Sequence, residues 1–186
     1  MTNAQTIDAD MLAPHIFGTG EPLLCLGFAE PTGSALLQQL SASRQIFATP
    51  AHRAVAALQT PATAKFTVLA RSSEIGAALT LAAAHTDEIE ALVLLAPSKA
   101  AVEENADRLA EVKVQILFLA GTLDMEGGEA ATAFKRKLAA SHLVYVYDAG
   151  RDMDTERPDA VAKVTQDFLT RRDKFLVSNA DGRITR

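Results

Sequence analysis

The sequence predicts an α/β fold, a mostly parallel sheet of about six strands with helices on both of its faces. Short apolar runs alternate with longer segments of helical periodicity, which is typical of strands joined by helices. The apolar runs are nearly uninterrupted, as expected for parallel strands that are buried on both faces. A chain of 186 residues, 48% of them hydrophobic, is long enough to bury one such core.

Six apolar runs are predicted strands, and they are separated by segments with apolar residues at helical spacing. The predicted strands cover residues 23–28, 45–49, 66–71, 91–96, 114–120 and 143–147. The predicted helices cover residues 34–42, 73–85, 100–111, 129–140 and 159–171.

Composition and charge limit the functions that the chain can have. The net charge of -5 argues against a surface for nucleic acid or for an anionic membrane within this segment. Cys25 is the only cysteine, so neither an intramolecular disulfide nor a cysteine-based metal site is predicted. No glycine-rich phosphate loop follows a predicted strand, so no cofactor is expected. Residues 1–10 lack the features of a secretory signal, and a cytoplasmic location is the expectation.

An arginine stands at a turn near the end of the chain. Segment 144–169 is predicted to be a strand, a turn and a helix, with Arg151 in the turn after Asp148-Ala149-Gly150. This segment resembles the last strand, histidine loop and last helix of the α/β-hydrolase superfamily, with Arg151 in the place of the catalytic histidine. A guanidinium group stays protonated at any pH the cell reaches, so it cannot accept a proton from a serine. The resemblance therefore implies a hydrolase fold without its general base.

Segment 68–79 resembles the nucleophile elbow of the same superfamily, which holds a serine on a strained turn between strand and helix. In this alignment Ser72 falls at the nucleophile, Ala70 at the first glycine and Glu74 at the second. A carboxylate two residues from the serine would oppose the negative charge of an oxyanion. The alternative interpretation is that Ser72 or Ser73 caps a helix and that Glu74 is an ordinary first-turn acid.

The apolar run that ends at Leu26 and is followed by Gly27-Phe28 resembles the oxyanion loop of the superfamily. In that family the backbone NH after the glycine holds the oxyanion, so the resemblance implies Phe28, together with Ser73, as oxyanion- or ligand-binding residues. Taken alone, Gly27 is equally well explained as the end of a strand.

Asp124 follows a predicted strand and the turn Gly121-Thr122-Leu123, which match the segment that carries the triad acid of the superfamily. The order Ser72, Asp124 and Arg151 is also the family's order of nucleophile, acid and histidine. An aspartate after a strand is otherwise a turn former or a helix cap. Arg151 would then either bridge Asp124 or, with Arg71, bind a carboxylate or phosphate.

No histidine is an obvious substitute for the missing base. His52 follows a predicted strand and so emerges at the carboxyl edge of the sheet, where sites of open α/β folds lie, but nothing orients it toward Ser72. His15 lies before the first clear strand, His85 ends a helix and His142 precedes a strand at the opposite edge.

The chain is short where many α/β-hydrolases insert a cap domain. Only 16 residues separate Pro97 from Val114, and most of them belong to one predicted charged helix. The expected form is therefore minimal and capless, with a pocket that is shallow and open to water.

Residues 173–186 add a second, short resemblance. Hydrophobic residues, then Ala180-Asp181-Gly182, then Arg183-Ile184 predict a strand, a tight turn and a strand. This resembles the opening hairpin of a PAS sensor domain. We therefore expect an α/β-hydrolase-like domain over residues 1–172 and a tail, or the start of a further domain, over residues 173–186.

The function expected from these residues is that of a pseudoenzyme, which acts as a ligand-sensing, regulatory or protein-interaction domain. If the PAS resemblance holds, the domain is the N-terminal part of a signalling or transcription-regulating protein. The expected partner is a small-molecule ligand or a protein, which includes a second copy of the chain in a homodimer. No nucleic acid, membrane or metal is expected as a partner of this segment. The alternative is a weak esterase that acts on small carboxylic esters through Ser72, with Asp124 as the acid. Membership of a fold does not decide between the two.

Overall fold

The fold is built around one seven-stranded sheet, in a computed structural model that describes residues 14–60, 62, 64–138 and 140–175. The strands are β1 (His15–Phe17), β2 (Glu21–Leu26), β3 (Arg44–Ala48), β4 (Phe66–Arg71), β5 (Ile89–Leu95), β6 (Gln115–Gly121) and β7 (Ser141–Val146). Their spatial order is β1-β3-β2-β4-β5-β6-β7, and all neighbours are parallel except the antiparallel pair β1 and β3. The predicted mostly parallel sheet is confirmed.

All six predicted strands are present, and β4 has the predicted bounds. The other five begin or end one or two residues away, which is the usual uncertainty at the ends of elements. The additional strand is β1, which the sequence analysis missed. It has only three residues, two of them exposed, so it has no apolar run that would identify it.

Seven helices cover the two faces of the sheet in the described part of the chain. They are α1 (Ala35–Leu40), α2 (Ala54–Leu58), α3 (Ile75–Ala84), α4 (Lys99–Glu104), α5 (Met125–Lys137), α6 (Met153–Glu156) and α7 (Pro158–Arg171). Helices α2 to α5 pack on one face and α1, α6 and α7 pack on the other, so each face has its own apolar core. The predicted helices on both faces are confirmed.

The segment between β5 and β6 differs from its prediction in one respect. The predicted helix 100–111 is interrupted: α4 ends at Glu104, and a 3₁₀ turn follows at Leu109–Glu111. Asn105 causes the interruption, because its backbone leaves the helical region and its side-chain amide donates to the Ala101 carbonyl oxygen at 2.9 Å. This short segment holds no cap domain, in agreement with the predicted capless form.

The end of α7 is fixed by aromatic packing. Arg172 adopts a positive φ of 51°, which turns the chain after the helix, and a 3₁₀ turn covers Arg172–Lys174 where the predicted hairpin would begin. The buried ring of Phe175 then lies 5.3 Å from the rings of Phe168 and His142, between centroids. The remaining residues of the predicted hairpin, 176–186, lie outside the described residues, so the domain boundary stays a prediction. None of the described helices has the length and apolar character needed to cross a bilayer.

Candidate functional site

The carboxyl ends of the central strands surround a cleft of about 440 Å³, which we call the Ser72 cleft. Open parallel sheets form their sites at this edge, because the loops after neighbouring strands meet there. Residues from the ends of β2, β4 and β5 and from the loop after β7 line the cleft. They include Gly27, Arg71, Ser72, Ser73, Ser98, Arg151, Asp152 and Asp154. The sequence-predicted Ser72, Ser73 and Arg151 therefore share one cleft.

Ser72 lies on a 3₁₀ turn, Ser72–Glu74, between β4 and α3. Neither that turn nor α3 has a side-chain cap, so the interpretation of Ser72 or Ser73 as a helix cap is wrong. The hydroxyl groups of both serines make no hydrogen bond with any described residue. A nucleophile elbow is a strained turn, yet the non-glycine residues with positive φ in the described ranges are Ala96, Asp148 and Arg172. Ser72 thus occupies the elbow position without the strained backbone.

The loop after β2 packs tightly against the turn that carries Ser72. Gly27 has a φ of +86°, and a Cβ atom there would lie 3.0 Å from Glu74 Cγ and 3.2 Å from Arg71 Cβ. The absence of a side chain lets Glu74 and Arg71 approach the loop. The Glu74 side chain is therefore next to the segment that resembles the oxyanion loop, where a carboxylate opposes negative charge.

Phe28, the predicted oxyanion residue, lines a neighbouring cleft of about 400 Å³ that shares Arg71 and Asp154 with the Ser72 cleft. The Arg71 guanidinium carbon lies 5.9 Å from the centroid of the Phe28 ring, which is a cation–π distance. Phe28 lies close to Arg71 but is not among the residues that line the Ser72 cleft, and the oxyanion role of its backbone NH stays a prediction.

Asp124 has two roles in the structure. As the N-cap of α5, its Oδ1 atom accepts from the Gly127 backbone NH at 3.1 Å, which explains why α5 begins four residues before the predicted helix 129–140. Arg151 Nη2 lies 3.5 Å from the same Asp124 oxygen and 3.2 Å from Glu126 Oε2. The expected bridge between Arg151 and Asp124 is present, with Glu126 as an additional partner. Asp124 Oδ2 is buried and has no hydrogen-bond partner among the described residues.

The loop that carries Arg151 is held against the end of β6. The Leu123 backbone NH donates to the Ala149 carbonyl oxygen at 2.9 Å, and the Gly150 NH donates to Glu156 Oε2 at 2.6 Å. Gly121 ends β6 at a place where any Cβ would lie 2.1 Å from the Ala149 carbonyl oxygen. These contacts bring the Asp124 turn and the Arg151 turn together, so they set the distance between the two side chains.

The structure adds two acidic residues that the sequence analysis did not single out. Arg71 Nη2 lies 3.0 Å from Asp152 Oδ1 and 3.4 Å from Asp154 Oδ1, so it links the end of β4 to the loop after β7. Two acids close behind Arg151 were visible in the sequence, but their partner Arg71 is distant in the chain, 81 residues from Asp152. Asp154 is buried, and burial raises the pKa of its carboxyl group, although the Arg71 guanidinium opposes this shift.

The raised pKa of Asp154 leads to a prediction for the pH dependence of stability. The folded chain binds the Asp154 proton at a higher pH than the unfolded chain, in which the pKa has its ordinary value for aspartate. Its contribution is therefore complete below the unfolded pKa and is lost as the pH rises through the folded pKa. We expect the free energy of unfolding of the wild type, relative to Asp154→Asn, to be highest at and below the unfolded pKa and to fall as the pH rises toward neutral. Urea titrations across this range measure the difference, with the exposed Asp87→Asn as control; a difference that grows with pH would contradict the prediction.

Loss of the Arg151 bridge should lower stability. Arg151→Ala leaves the carboxylate of Asp124, 9% exposed, without its cationic partner. Because Arg151 itself is 41% exposed, we expect the free energy of unfolding to fall by about 1 to 2 kcal/mol. Arg171→Ala is the control, since Arg171 forms an exposed pair with Asp167 on the same helix and should matter by less than about 0.5 kcal/mol. Equal midpoints of urea unfolding for the wild type and Arg151→Ala would contradict the role of the bridge.

None of the four histidines lines the Ser72 cleft. His52 is exposed in a 3₁₀ turn after β3, so the one histidine with a geometric chance of replacing the base is not placed beside Ser72. His85 ends α3 as predicted, whereas His142 lies within β7 rather than before it, still at the amino end of the strand. In the described part of the chain, no group of three histidine, cysteine or acidic residues is arranged to hold a metal ion.

The structure is similar to those of several α/β-hydrolases. It matches CarC, a serine hydrolase involved in carbazole degradation, with a TM-score of 0.72 and 15% identity, over 84% of this chain and 93% of that one. It matches MenH from S. aureus with a TM-score of 0.69 and 12% identity, over 87% and 99% of the two chains. The enol-lactonase from Burkholderia xenovorans gives a TM-score of 0.67 and 15% identity, over 84% and 95%. At these identities the similarity concerns the fold alone.

In sequence, the chain matches no protein-family model, and no curated protein is significantly similar to it.

Proposed function

We propose that this chain, which has the α/β-hydrolase fold, is a small-molecule-binding domain that does not hydrolyse esters through a serine–histidine–acid triad. The observation that carries the proposal is the position of Arg151, which follows β7 and pairs with Asp124 where the resemblance implies a histidine. A histidine there would accept the serine proton as a general base, and a guanidinium group cannot do so.

The surroundings of Ser72 support the same proposal. The turn at Ser72 lacks the strained backbone of an elbow, and the Glu74 side chain packs on the loop at Gly27. Loss of one oxyanion donor alone costs about 10²–10³ in rate, and loss of the base costs about 10⁴ or more. The three departures concern the nucleophile, the base and the oxyanion site, so each part of the usual mechanism is affected.

The cleft itself favours binding over a structural role alone. It is an indentation of about 440 Å³ lined by both charged and hydroxyl side chains, a size that suits a small molecule. Sensing or regulation is the role that we assign to a domain that binds such a molecule without transforming it. The expected PAS-like segment over residues 173–186 is the feature on which a signalling role rests.

A weak esterase is the second candidate. What favours it is that the Ser72 hydroxyl has no hydrogen-bond partner among the described residues and that Ser72 lines the same cleft as Arg151. The similar structures also include a serine hydrolase and an enol-lactonase. It requires a base other than histidine, because none of the four histidines lines this cleft. Asp154 is the titratable group of raised pKa in the cleft, but its carboxyl group already contacts Arg71.

Turnover of p-nitrophenyl acetate and p-nitrophenyl butyrate tests the proposal. We expect the wild type and Ser72→Ala to give rates that agree within about twofold, because background hydrolysis does not pass through the serine. Ser98→Ala, which removes another hydroxyl group of the same cleft, is the matched control. A rate that Ser72→Ala abolishes and Ser98→Ala preserves would overturn the proposal in favour of the esterase.

Arg151→His separates the effect of the missing base from the effects of the unstrained turn at Ser72 and of Glu74 beside the Gly27 loop. We expect no Ser72-dependent turnover from this variant, because triad members act as a unit and the elbow and oxyanion site remain altered. If Arg151→His gains turnover that a further Ser72→Ala removes, the arginine alone silences an otherwise competent site.

A further inference from the structure

We propose that the Ser72 cleft binds its ligand by a carboxylate or phosphate group, held between the guanidinium groups of Arg71 and Arg151. This inference rests on the proposed function, since it assigns a chemical class to the ligand of the same cleft. Two arginines and three serines face one cavity, which is a donor-rich lining for an anionic group.

Both arginines retain unused donors. Arg71 uses Nη2 for Asp152 and Asp154, and Arg151 uses Nη2 for Asp124 and Glu126. Within the described ranges the Nη1 and Nε atoms of both residues make no hydrogen bond. A guanidinium group has five N–H donors in a fixed fork, so each arginine keeps a pair of directions for a bidentate contact with two oxygens.

The acidic partners hold these forks in place. Each arginine is anchored by two carboxylates of one segment, Arg71 by the start of α6 and Arg151 by the start of α5, so its side chain loses less freedom when a ligand binds. Both side chains remain accessible from the cleft, Arg71 at 32% and Arg151 at 41% exposure. The binding energy comes from directed, charge-assisted hydrogen bonds, because Asp152 and Asp154 offset the charge of the two arginines in the lining.

The hydroxyl groups supply a second set of donors. Ser72 and Ser73 make no hydrogen bond with any residue that the structure describes, although both line the cleft. Ser98 Oγ accepts from the Ala101 backbone NH at 3.2 Å, which leaves its own O–H free to donate. An anionic group in the cleft would satisfy these donors, whereas an ammonium group would compete with Arg71 for Asp152 and Asp154 and leave the serine and arginine donors unused.

The test is an ¹H–¹⁵N NMR titration of the full chain with butyrate, inorganic phosphate, neutral butyramide and butylammonium. Its probes are the backbone amides of Ser72 and Ser73 and the Nε–Hε signals of Arg71 and Arg151. We expect saturable shifts with butyrate, phosphate or both below about 100 mM, and none with the neutral or cationic analogue. The better of the two anions identifies the head group.

Variants locate the site. We expect Arg151→Gln to weaken anion binding about tenfold or more and Arg151→Lys to weaken it less, because lysine keeps the charge but loses the fork. Arg171→Gln, an exposed arginine on α7, should leave it unchanged. Any of four results would overturn this inference: equal shifts with butyramide, a preference for butylammonium, no saturable shift with either anion, or unaltered anion binding in a folded Arg151→Gln variant. Those outcomes leave the absence of Ser72-dependent ester turnover intact, so the two proposals fail separately.

Discussion

Gly121→Ala is expected to destabilise the protein by about 3 kcal/mol, or to prevent folding, which is the upper range for overpacking by one methyl group. A Cβ atom at Gly121 would lie 2.1 Å from the carbonyl oxygen of Ala149 and 2.3 Å from that of Gly150. Both obstacles are backbone atoms, which cannot rotate away as a side chain does. The loop after β7 would have to move, and with it Arg151 and its bridge to Asp124.

Urea unfolding of Gly121→Ala measures this cost, and Gly33→Ala is its matched control. The nearest atom to a Cβ at Gly33 is the Glu30 carboxylate oxygen at 3.7 Å, an ordinary contact with a flexible side chain. We expect the control to change the free energy of unfolding by less than about 0.5 kcal/mol. If Gly121→Ala and Gly33→Ala lower the free energy of unfolding by similar amounts, the contact between the end of β6 and the Arg151 loop is not a tight one.

Phe134→Ala is expected to lower the free energy of unfolding by about 3 to 5 kcal/mol. Phe134 is fully buried on α5, and its ring stacks on Phe118 of β6 with a centroid distance of 5.3 Å and an interplanar angle of 15°. The substitution removes most of a large apolar side chain and also the aromatic pair, and the close packing of the interior prevents full collapse of the cavity.

The control for Phe134→Ala is Met125→Ala at the start of the same helix. Met125 is 79% exposed, so its truncation should change stability by less than about 0.5 kcal/mol. Thermal and urea unfolding of the two variants give the comparison. A loss below about 1 kcal/mol for Phe134→Ala would contradict the packing of α5 on the sheet, because truncation of a fully buried phenylalanine typically costs about 3 to 5 kcal/mol.

Most of the sheet could be predicted because parallel strands buried on both faces leave a continuous apolar signal. The strands β2, β4, β5 and β6 are almost entirely buried, and their runs of leucine, valine and isoleucine show this in the sequence. The edge strand β1 has three residues and two exposed side chains, so its pairing with β3 is decided by tertiary contacts alone.

Parts of the site were also predictable, since residues that follow parallel strands meet at one edge of the sheet. The resemblance singled out Ser72, Asp124 and Arg151 after such strands, and in the structure Ser72 and Arg151 line one cleft while Asp124 pairs with Arg151. The roles of Glu126, Asp152 and Asp154 were not predictable, because they depend on the direction of each side chain after a turn. Arg71 illustrates the limit: its partners Asp152 and Asp154 lie at the start of α6, and the loop before that helix is held by hydrogen bonds to the turn after β6.

The helix-cap interpretation of Ser72 and Ser73 failed for a local reason. A serine followed by an acid and an apolar run predicts a helix start, but the chain enters α3 through a 3₁₀ turn and Glu74 precedes the first helical residue. Both serines line the Ser72 cleft, and neither side chain caps a helix. A free serine in this place is therefore common to the binding and the esterase interpretations, and only its reactivity separates them.

The most direct measurement of that reactivity is labelling with a fluorophosphonate, a reagent that modifies serines activated by a catalytic base, followed by intact-mass analysis of the wild type and Ser72→Ala. We expect no adduct on either protein, because Arg151 leaves Ser72 without a base. A stoichiometric adduct on the wild type that Ser72→Ala abolishes would contradict the proposal and identify Ser72 as an activated nucleophile.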